Sequence, residues 1–378
     1  MELSAEDTLR INVLLAGSVK AVRIDESSMT LYALSDKGEA RVKLNPNCRD
    51  ETYLRRVREA LSSHVLGSPG GYPVYLKRWT RMGQTRDGIL ESLLLLGEPE
   101  AVIAVVNAAG ITNEIARRAW WASQTAENAR CMLAQQSVVQ GDMGPVLADF
   151  LIEFLPFETE ARDMIASVRL ILQSGLISNE DRLELWGRGK HRNAYYVGFL
   201  QAVPDELPVS VRPHPLRDEV CEKLEGLRRT GNPFAVQLCR LLGSEGQGFL
   251  AVLESVLDKP SNQDVVVSLL HALAAYFRPI RRTNDTGYQT MDAIQAAADD
   301  QMTRGAGHGH ALGELLAKVP GMEKEVHAML VLSMVDEPLV NPIFSRTDAI
   351  GTVMRRKLKP VSEPLQRYIE SLRNRDGV

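Results

Sequence analysis

The chain of 378 residues carries 44 basic and 48 acidic side chains, a formal net charge of −4, with 44% hydrophobic and 24% charged residues. This is ordinary globular usage, which excludes collagen-like, coiled-coil and wholly disordered chains and a protein that is basic throughout; the length suits two or three domains. No segment approaches the ~18 consecutive apolar residues of a spanning helix, and the acidic start MELSAEDTLR lacks the charged-then-apolar order of an export signal. A cytoplasmic protein with no membrane insertion is therefore expected.

The first segment, residues 4–15, reads as a short helix, after which the period changes. Ala21-Val22-Arg23-Ile24-Asp25 alternates apolar and polar residues as a half-buried strand does. Ser28–Leu34 sets Met29, Leu31 and Ala33 on one face against Thr30 and Tyr32 on the other, Asp36-Lys37-Gly38 is a turn signal, and Arg41–Leu44 alternates again. Three short strands with tight links predict an antiparallel meander. Leu54, Val57 and Leu61 then form the apolar stripe of a helix, Gly67–Pro73 interrupts regular structure, and Val74–Trp79 reads as a further strand. Residues 1–85 are thus expected to form a small α+β domain.

From Gly88 onward the helical period dominates. Met143, Val146, Leu147, Phe150, Leu151, Phe154 and Leu155 follow one stripe, with Asp142 as its expected N-cap and Pro145 in the first turn. Phe249, Val252, Leu253, Val256 and Leu257 repeat the geometry. Ser261 opens an S-x-x-D capping pattern before Val266, Leu269, Leu270, Leu273 and Phe277. Short helices separated by Gly97-Glu98-Pro99, Gly110, Leu155-Pro156 and Gly175 predict an irregular HEAT-like α-solenoid or helical array, with a compact bundle as the alternative; no strict period marks a consensus repeat. Prolines 204, 208, 213 and 215 mark a break over 204–215 between a first helical half, 86–203, and a second, 216–378. Residues 346–378 read as one or two capping helices, with Lys357-Leu358-Lys359-Pro360 between them.

Chemistry is harder to find. Cys48, Cys131, Cys221 and Cys239 include no short C-x-x-C pair, the usual minimum for a zinc or iron–sulfur site, and a cytoplasmic chain keeps thiols reduced, so all four are read as incidental free thiols. His308 and His310 have H-x-H spacing inside a glycine loop, but a stable metal site needs three or four ligands. Gly187-Arg188-Gly189-Lys190 fails as a P-loop, and the loop 305–310 lacks the preceding strand of a dinucleotide site. Neither a nucleophile elbow nor an H-E-x-x-H pair is present. Gly67-Ser68-Pro69-Gly70-Gly71 has the composition of a backbone anion cradle, though such glycine-rich stretches are usually plain turns. No cofactor and no catalytic residue is expected.

Two surfaces stand out instead. Arg117, Arg118, Trp120 and Trp121 combine the residue types enriched at protein-binding hot spots, although adjacent tryptophans on a helix point about 100° apart, so at least one of them is expected in the core. Between Leu54 and Arg86 lie seven basic residues and one acid, with aromatics interleaved. Arg55, Arg56, Arg58, Lys77, Arg78 and Arg81 with Tyr72, Tyr75 and Trp79 match the phosphate-neutralising and base-stacking chemistry of an RNA or single-strand site; a solvated helix face beside a strand with core aromatics is the competing and preferred reading.

Several stretches resemble the DsrS family of dissimilatory sulfite reductase gene clusters: GSPGGYPVYL at 67–76, RWTRMGQ at 78–84, LLLLGEPEAV at 93–102, RRAWW at 117–121 and NAYYVGF at 193–199. The resemblance runs from Met1 past Asp205. It implies a cytoplasmic protein of sulfur-oxidising bacteria that run sulfite reductase in reverse. Pathway membership follows from it rather than a reaction, and it assigns no substrate, cofactor or catalytic residue. The function expected is therefore an accessory or regulatory protein that binds proteins of the Dsr system without catalytic chemistry of its own. The alternative is an RNA-binding post-transcriptional regulator acting through the Arg55–Arg86 patch.

Overall fold

The computed structural model describes residues 3–71, 87–282, 287–305, 311–346 and 349–373. The strand expected over Val74–Trp79 lies outside them. The described residues form a mainly helical protein, with 21 helices and 66% helix, and an N-terminal three-stranded antiparallel sheet preceded by a helix. Helix α1 spans Ala5–Leu15 and is capped by Ser4, whose Oγ accepts from the Asp7 N–H at 3.1 Å. Strands β1 (Val19–Asp25), β2 (Thr30–Ser35) and β3 (Gly38–Lys43) follow as a meander in the order β1-β2-β3. Helix α2 (Asp50–Leu66) turns Tyr53, Leu54, Val57 and Leu61 onto the sheet, where they meet Ile11 and Leu15 of α1 and Val22, Leu31 and Ala33.

One buried carboxylate ties these pieces together. Asp7, fully buried in the first turn of α1, accepts from the Asn45 backbone N–H at 2.8 Å and from the Tyr53 hydroxyl. Its place at the positive end of the helix dipole offsets part of the cost of burying it. The β1–β2 turn is organised the same way: the Asp25 carboxylate accepts from the backbone N–H of Ser27 at 3.0 Å and of Ser28 at 3.2 Å, and from the Ser27 hydroxyl at 2.7 Å and the Ser28 hydroxyl at 2.6 Å.

The chain divides into two compact units, Met1–Pro156 and Phe157–Val378. The division falls at a 3₁₀ turn over Leu155–Phe157, and the proline-rich 204–215 lies inside the second unit as a stretch without helix. In the first unit, Thr112 and Thr125 cap the helices Asn113–Ala122 and Ala126–Leu133 through their hydroxyls. Helix Met143–Phe154 departs from its predicted stripe in two respects. Val146 is 48% exposed, while Met143, Leu147, Leu151 and Leu155 are buried. Asp142 makes no capping hydrogen bond to the helix; its carboxylate is taken by Asn113 and Arg117 instead.

In the second unit the helix Gln263–Tyr276 is central, packing against Ala161–Ile171, Ala194–Ala202, Ser244–Asp258 and Glu323–Ser333. Its N-cap is Asn262, which accepts from Val265 N–H at 3.1 Å, one residue beyond the predicted Ser261; that serine bonds Asn193. The helices Pro233–Leu242 and Ser244–Asp258 are separated by a single residue, so the first turn of the second lies against the end of the first. A Cβ on Gly246 would stand 2.2 Å from the Arg240 carbonyl oxygen, which is why only glycine fits there. The final segment is one helix, Gly351–Leu372, running through Pro360 and Pro364 rather than breaking at the first. An interior proline costs roughly 3 kcal/mol, but Met354, Leu358, Val361, Leu365, Ile369 and Leu372 form a buried stripe whose burial outweighs it. This helix packs on Ser244–Asp258 and Glu323–Ser333, and the buried Gln247 amide donates both to Leu241 O at 2.8 Å and to Leu372 O at 2.9 Å. The helical array is as expected; its closure by a helix distant in sequence departs from strictly sequential stacking, in which each repeat touches only its neighbours. No helix among the described residues is long and apolar enough to cross a membrane.

Candidate functional site

The β2–β3 link has two residues, Asp36 and Lys37, so Ser35 and Gly38 close the hairpin and exchange its first ladder bonds. The bonded pairs then continue as Ala33 with Ala40 and Leu31 with Val42, and Glu39, Arg41 and Lys43 turn their backbone N–H and C=O groups away from β2. The opposite edge of the sheet is already engaged, since β1 donates from Val22 N–H to Leu94 O at 2.8 Å and packs against Asn113–Ala122. Among the described residues no backbone pairs with the outer edge of β3.

Beside that edge, α1 and β3 enclose a groove of about 1070 Å³. Leu9 and Val13, one helical turn apart, line it from α1 and are 66% and 67% exposed. Ile11 and Leu15 occupy the opposite, core-facing side of the same helix. Ala33, Ala40 and Val42 continue the apolar lining on the sheet. The rim is charged: Asp36 pairs with Lys20, and Glu39 with Arg23 at 3.1 Å and with the Trp121 Nε1–H at 2.9 Å. Lys37 and Arg41, both exposed, have no carboxylate within ion-pair distance among the described residues. Among the described residues the groove therefore joins an unpaired strand edge, two exposed aliphatic side chains and cations without a carboxylate partner, the features an extended, acidic segment needs in order to add as a fourth strand.

The residues singled out in the sequence divide between core, ion pairs and surface. Arg118 is buried and pairs with Glu114 at 3.1 Å and Glu91 at 3.3 Å, while Arg117 pairs with Glu114 and Asp142. Trp120 is core, edge-on to Phe150 with ring centroids 4.7 Å apart. Trp121 is half-buried beneath the Arg23 guanidinium, 4.9 Å from its ring centroid. Trp121 thus reaches the sheet, through Arg23 and Glu39, whereas Arg117, which is exposed, and Arg118 pair with carboxylates outside it and Trp120 packs on Phe150. On α2, Arg55 is exposed with Glu59 3.9 Å away, Arg56 is half-buried, and Arg58 pairs with Glu26. Tyr72, Tyr75, Lys77, Arg78, Trp79 and Arg81 lie outside the described residues, as do His308 and His310. The glycine turn after α2 closes on Ser62, whose hydroxyl donates to Ser68 O and accepts from Gly71 N–H, each at 2.7 Å, so the Gly71 N–H does not face an anion. Among the described residues no three His, Cys, Asp or Glu side chains converge as metal ligands.

Sequence reasoning missed the groove, although Leu9 and Val13, spaced i and i+4 off the Ile11–Leu15 face, carried its signal. The fold and this site define a mainly helical protein with a small N-terminal sheet, one edge of which no described backbone pairs. In comparisons with known proteins, the chain matches no family model, no curated protein and no solved structure.

Proposed function

We propose that this chain is a cytoplasmic accessory or regulatory protein of the reverse dissimilatory sulfite reductase system, acting by binding a partner protein along β3 and the α1 groove, with no catalytic chemistry of its own. The pathway rests on the resemblance of the segments at 67–76, 78–84, 93–102, 117–121 and 193–199 to the DsrS family. The mode of binding rests on one observation: the open β3 edge lies beside Leu9 and Val13, which an isolated chain leaves two-thirds exposed. Added main-chain hydrogen bonds would supply affinity, and the aliphatic lining with Lys37 and Arg41 would select an acidic, alternately apolar strand.

The test is binding of the purified full chain to each purified Dsr component at micromolar concentration. Binding to one of them is expected, weakened about tenfold or more by Arg41→Pro, which removes one outward N–H, a loss of about 1.4 kcal/mol, and by Leu9→Asp with Val13→Asp. Absence of binding to every component would refute the pathway assignment. Binding that all three substitutions leave unchanged would refute the groove. RNA binding that falls with salt and is lost when Arg55, Arg56 and Arg58 become alanine would replace this reading by the regulator of transcripts.

A further inference from the structure

Cys221 and Cys239 are 18 positions apart in sequence, yet the fold brings them together. Cys221 lies on the helix Arg217–Lys223 and Cys239 on Pro233–Leu242; the two helices pack against each other, joined by the short helix Glu225–Arg229 and the turn at Gly231. The thiols are within hydrogen-bonding reach of one another. Both line one cavity of about 520 Å³, together with Arg217, Arg228, Arg240, Asp205 and Glu245. No disulfide joins them.

Their surroundings differ. Cys239 is buried, 8% exposed, whereas Cys221 is half-buried at the cavity. Burial, reinforced by the Cys221 sulfur beside it, pushes the Cys239 thiol up to about 12 in spite of Arg228 and Arg217. Cys239 thus stays protonated near neutral pH, and Cys221, half-buried at the cavity, is the sulfur an entering molecule reaches first. The cavity is held open by a rigid wall: Arg240 grips Asp205 through two bonds, at 2.8 and 2.6 Å, donates to Tyr276 O at 3.2 Å, and lies 3.7 Å above the Tyr276 ring. An accessible thiol, a buried thiol beside it, and a cavity leading to the first are the parts of a dithiol that exchanges with disulfides.

We infer that Cys221 and Cys239 form a reversible redox pair, oxidised to an intrachain disulfide by small disulfide molecules that enter the arginine-lined cavity. The Cys221 thiolate attacks one sulfur of the disulfide RSSR, forming Cys221–S–S–R and expelling RS⁻. Cys239 gives its proton to that RS⁻, and its own sulfur attacks the Cys221 Sγ, forming the Cys221–Cys239 bond and expelling the second RS⁻, which takes up the proton that Cys221 had released to solvent. Two protein thiols are oxidised by two electrons while RSSR is reduced to two RSH. The reaction is stoichiometric and independent of the partner-binding reading above.

The experiment equilibrates the full chain in glutathione buffers from fully reduced to fully oxidised, blocks free thiols with an alkylating agent and maps them by mass spectrometry. Expected is a fall from four alkylatable thiols to two, with peptides containing Cys221 and Cys239 linked and Cys48 and Cys131 still free. In Cys239→Ser the same buffers should trap glutathione on Cys221, and Cys221→Ser should leave Cys239 unmodified. Absence of the linked peptides in wild-type protein at the oxidising limit would overturn the inference without recourse to any variant. Glutathione adducts of equal yield at the remaining cysteine in both variants would overturn the assigned roles.

Discussion

The N-terminal meander and the helical second unit deal with their own surfaces in opposite ways. In the meander, β1 is covered on its outer edge while no described backbone pairs with β3, and α1 buries Ile11 and Leu15 yet exposes Leu9 and Val13. In the second unit, the last helix packs on Glu323–Ser333, close before it in sequence, and also returns to cover Ser244–Asp258, and even carbonyls at two helix ends are taken by Gln247. Among the described residues the first region leaves a strand edge unpaired beside exposed aliphatic side chains; the second packs helix on helix. Exposed apolar side chains become informative only when they sit beside unpaired backbone, as they do at β3 and not at Val146 or Val236.

The contrast can be broken most forcefully in the second unit. Gly246→Ala should destabilise it by about 3 kcal/mol or more, because the new methyl meets backbone atoms of Arg240 and Leu241 that cannot move independently; urea unfolding with hydrogen exchange should locate the loss between residues 233 and 276. In the first unit, Asp7→Ala should cost about 2 kcal/mol, leaving the Tyr53 hydroxyl and Asn45 N–H buried without their acceptor. Equal insensitivity of the two units to these changes would erase the distinction between tight and open packing.

A gentler probe is pH. The Ser28 and Ser27 hydroxyls and backbone N–H groups hold the Asp25 carboxyl at about 2, below its ordinary range. Its contribution to stability is therefore complete above the unfolded carboxylate range and is lost as the pH falls through about 2. The stability difference between the wild-type chain and Asp25→Asn should shrink over that window; a difference independent of pH would show that the turn does not rely on the charge. Smallest of all, Leu9→Asp with Val13→Asp should change stability by no more than about 0.5 kcal/mol, since both side chains already face water. A loss above about 1 kcal/mol in the isolated chain would show that the groove is covered in solution, by a second copy, and the comparison would fall.

The meander, α2 and most helical stripes could be read from the sequence because alternation and the 3.6-residue period report burial directly. Cap positions were less legible: Asp142 and Ser261 have the right chemistry, but tertiary partners, Asn113 with Arg117 in one case and Asn193 in the other, draw their side chains away from the helix end. The run through Pro360 and Pro364 was hidden because a local penalty signals a break, while the burial that outweighs it comes from other helices, Glu323–Ser333 and the more distant Ser244–Asp258. Arg117, Arg118 and Trp121 have the composition of a binding surface, yet Glu114, Asp142, Glu91 and Glu39 answer them within the same unit. The Cys221–Cys239 pair escaped a search for short thiol spacings, since a turn between two packed helices does the work of a short loop. The break at Gly231-Asn232-Pro233, with Asn232 capping the next helix, was the one local mark of that turn.

The closure of the second unit by Gly351–Leu372 also bears on how the chain is made. During synthesis the helices Ser244–Asp258 and Glu323–Ser333 emerge well before their cover, and neither the Gln247 bond to Leu372 nor the Arg373–Glu254 pair can form until residues 372 and 373 have left the ribosome. The final step in folding this unit accordingly waits on its most C-terminal helix. A nascent chain halted before residue 351 presents an uncovered apolar helix face to chaperones and proteases. The meander is placed the other way round: α1, all three strands and α2 lie within the first 66 residues, so its core can close while most of the chain is still unmade.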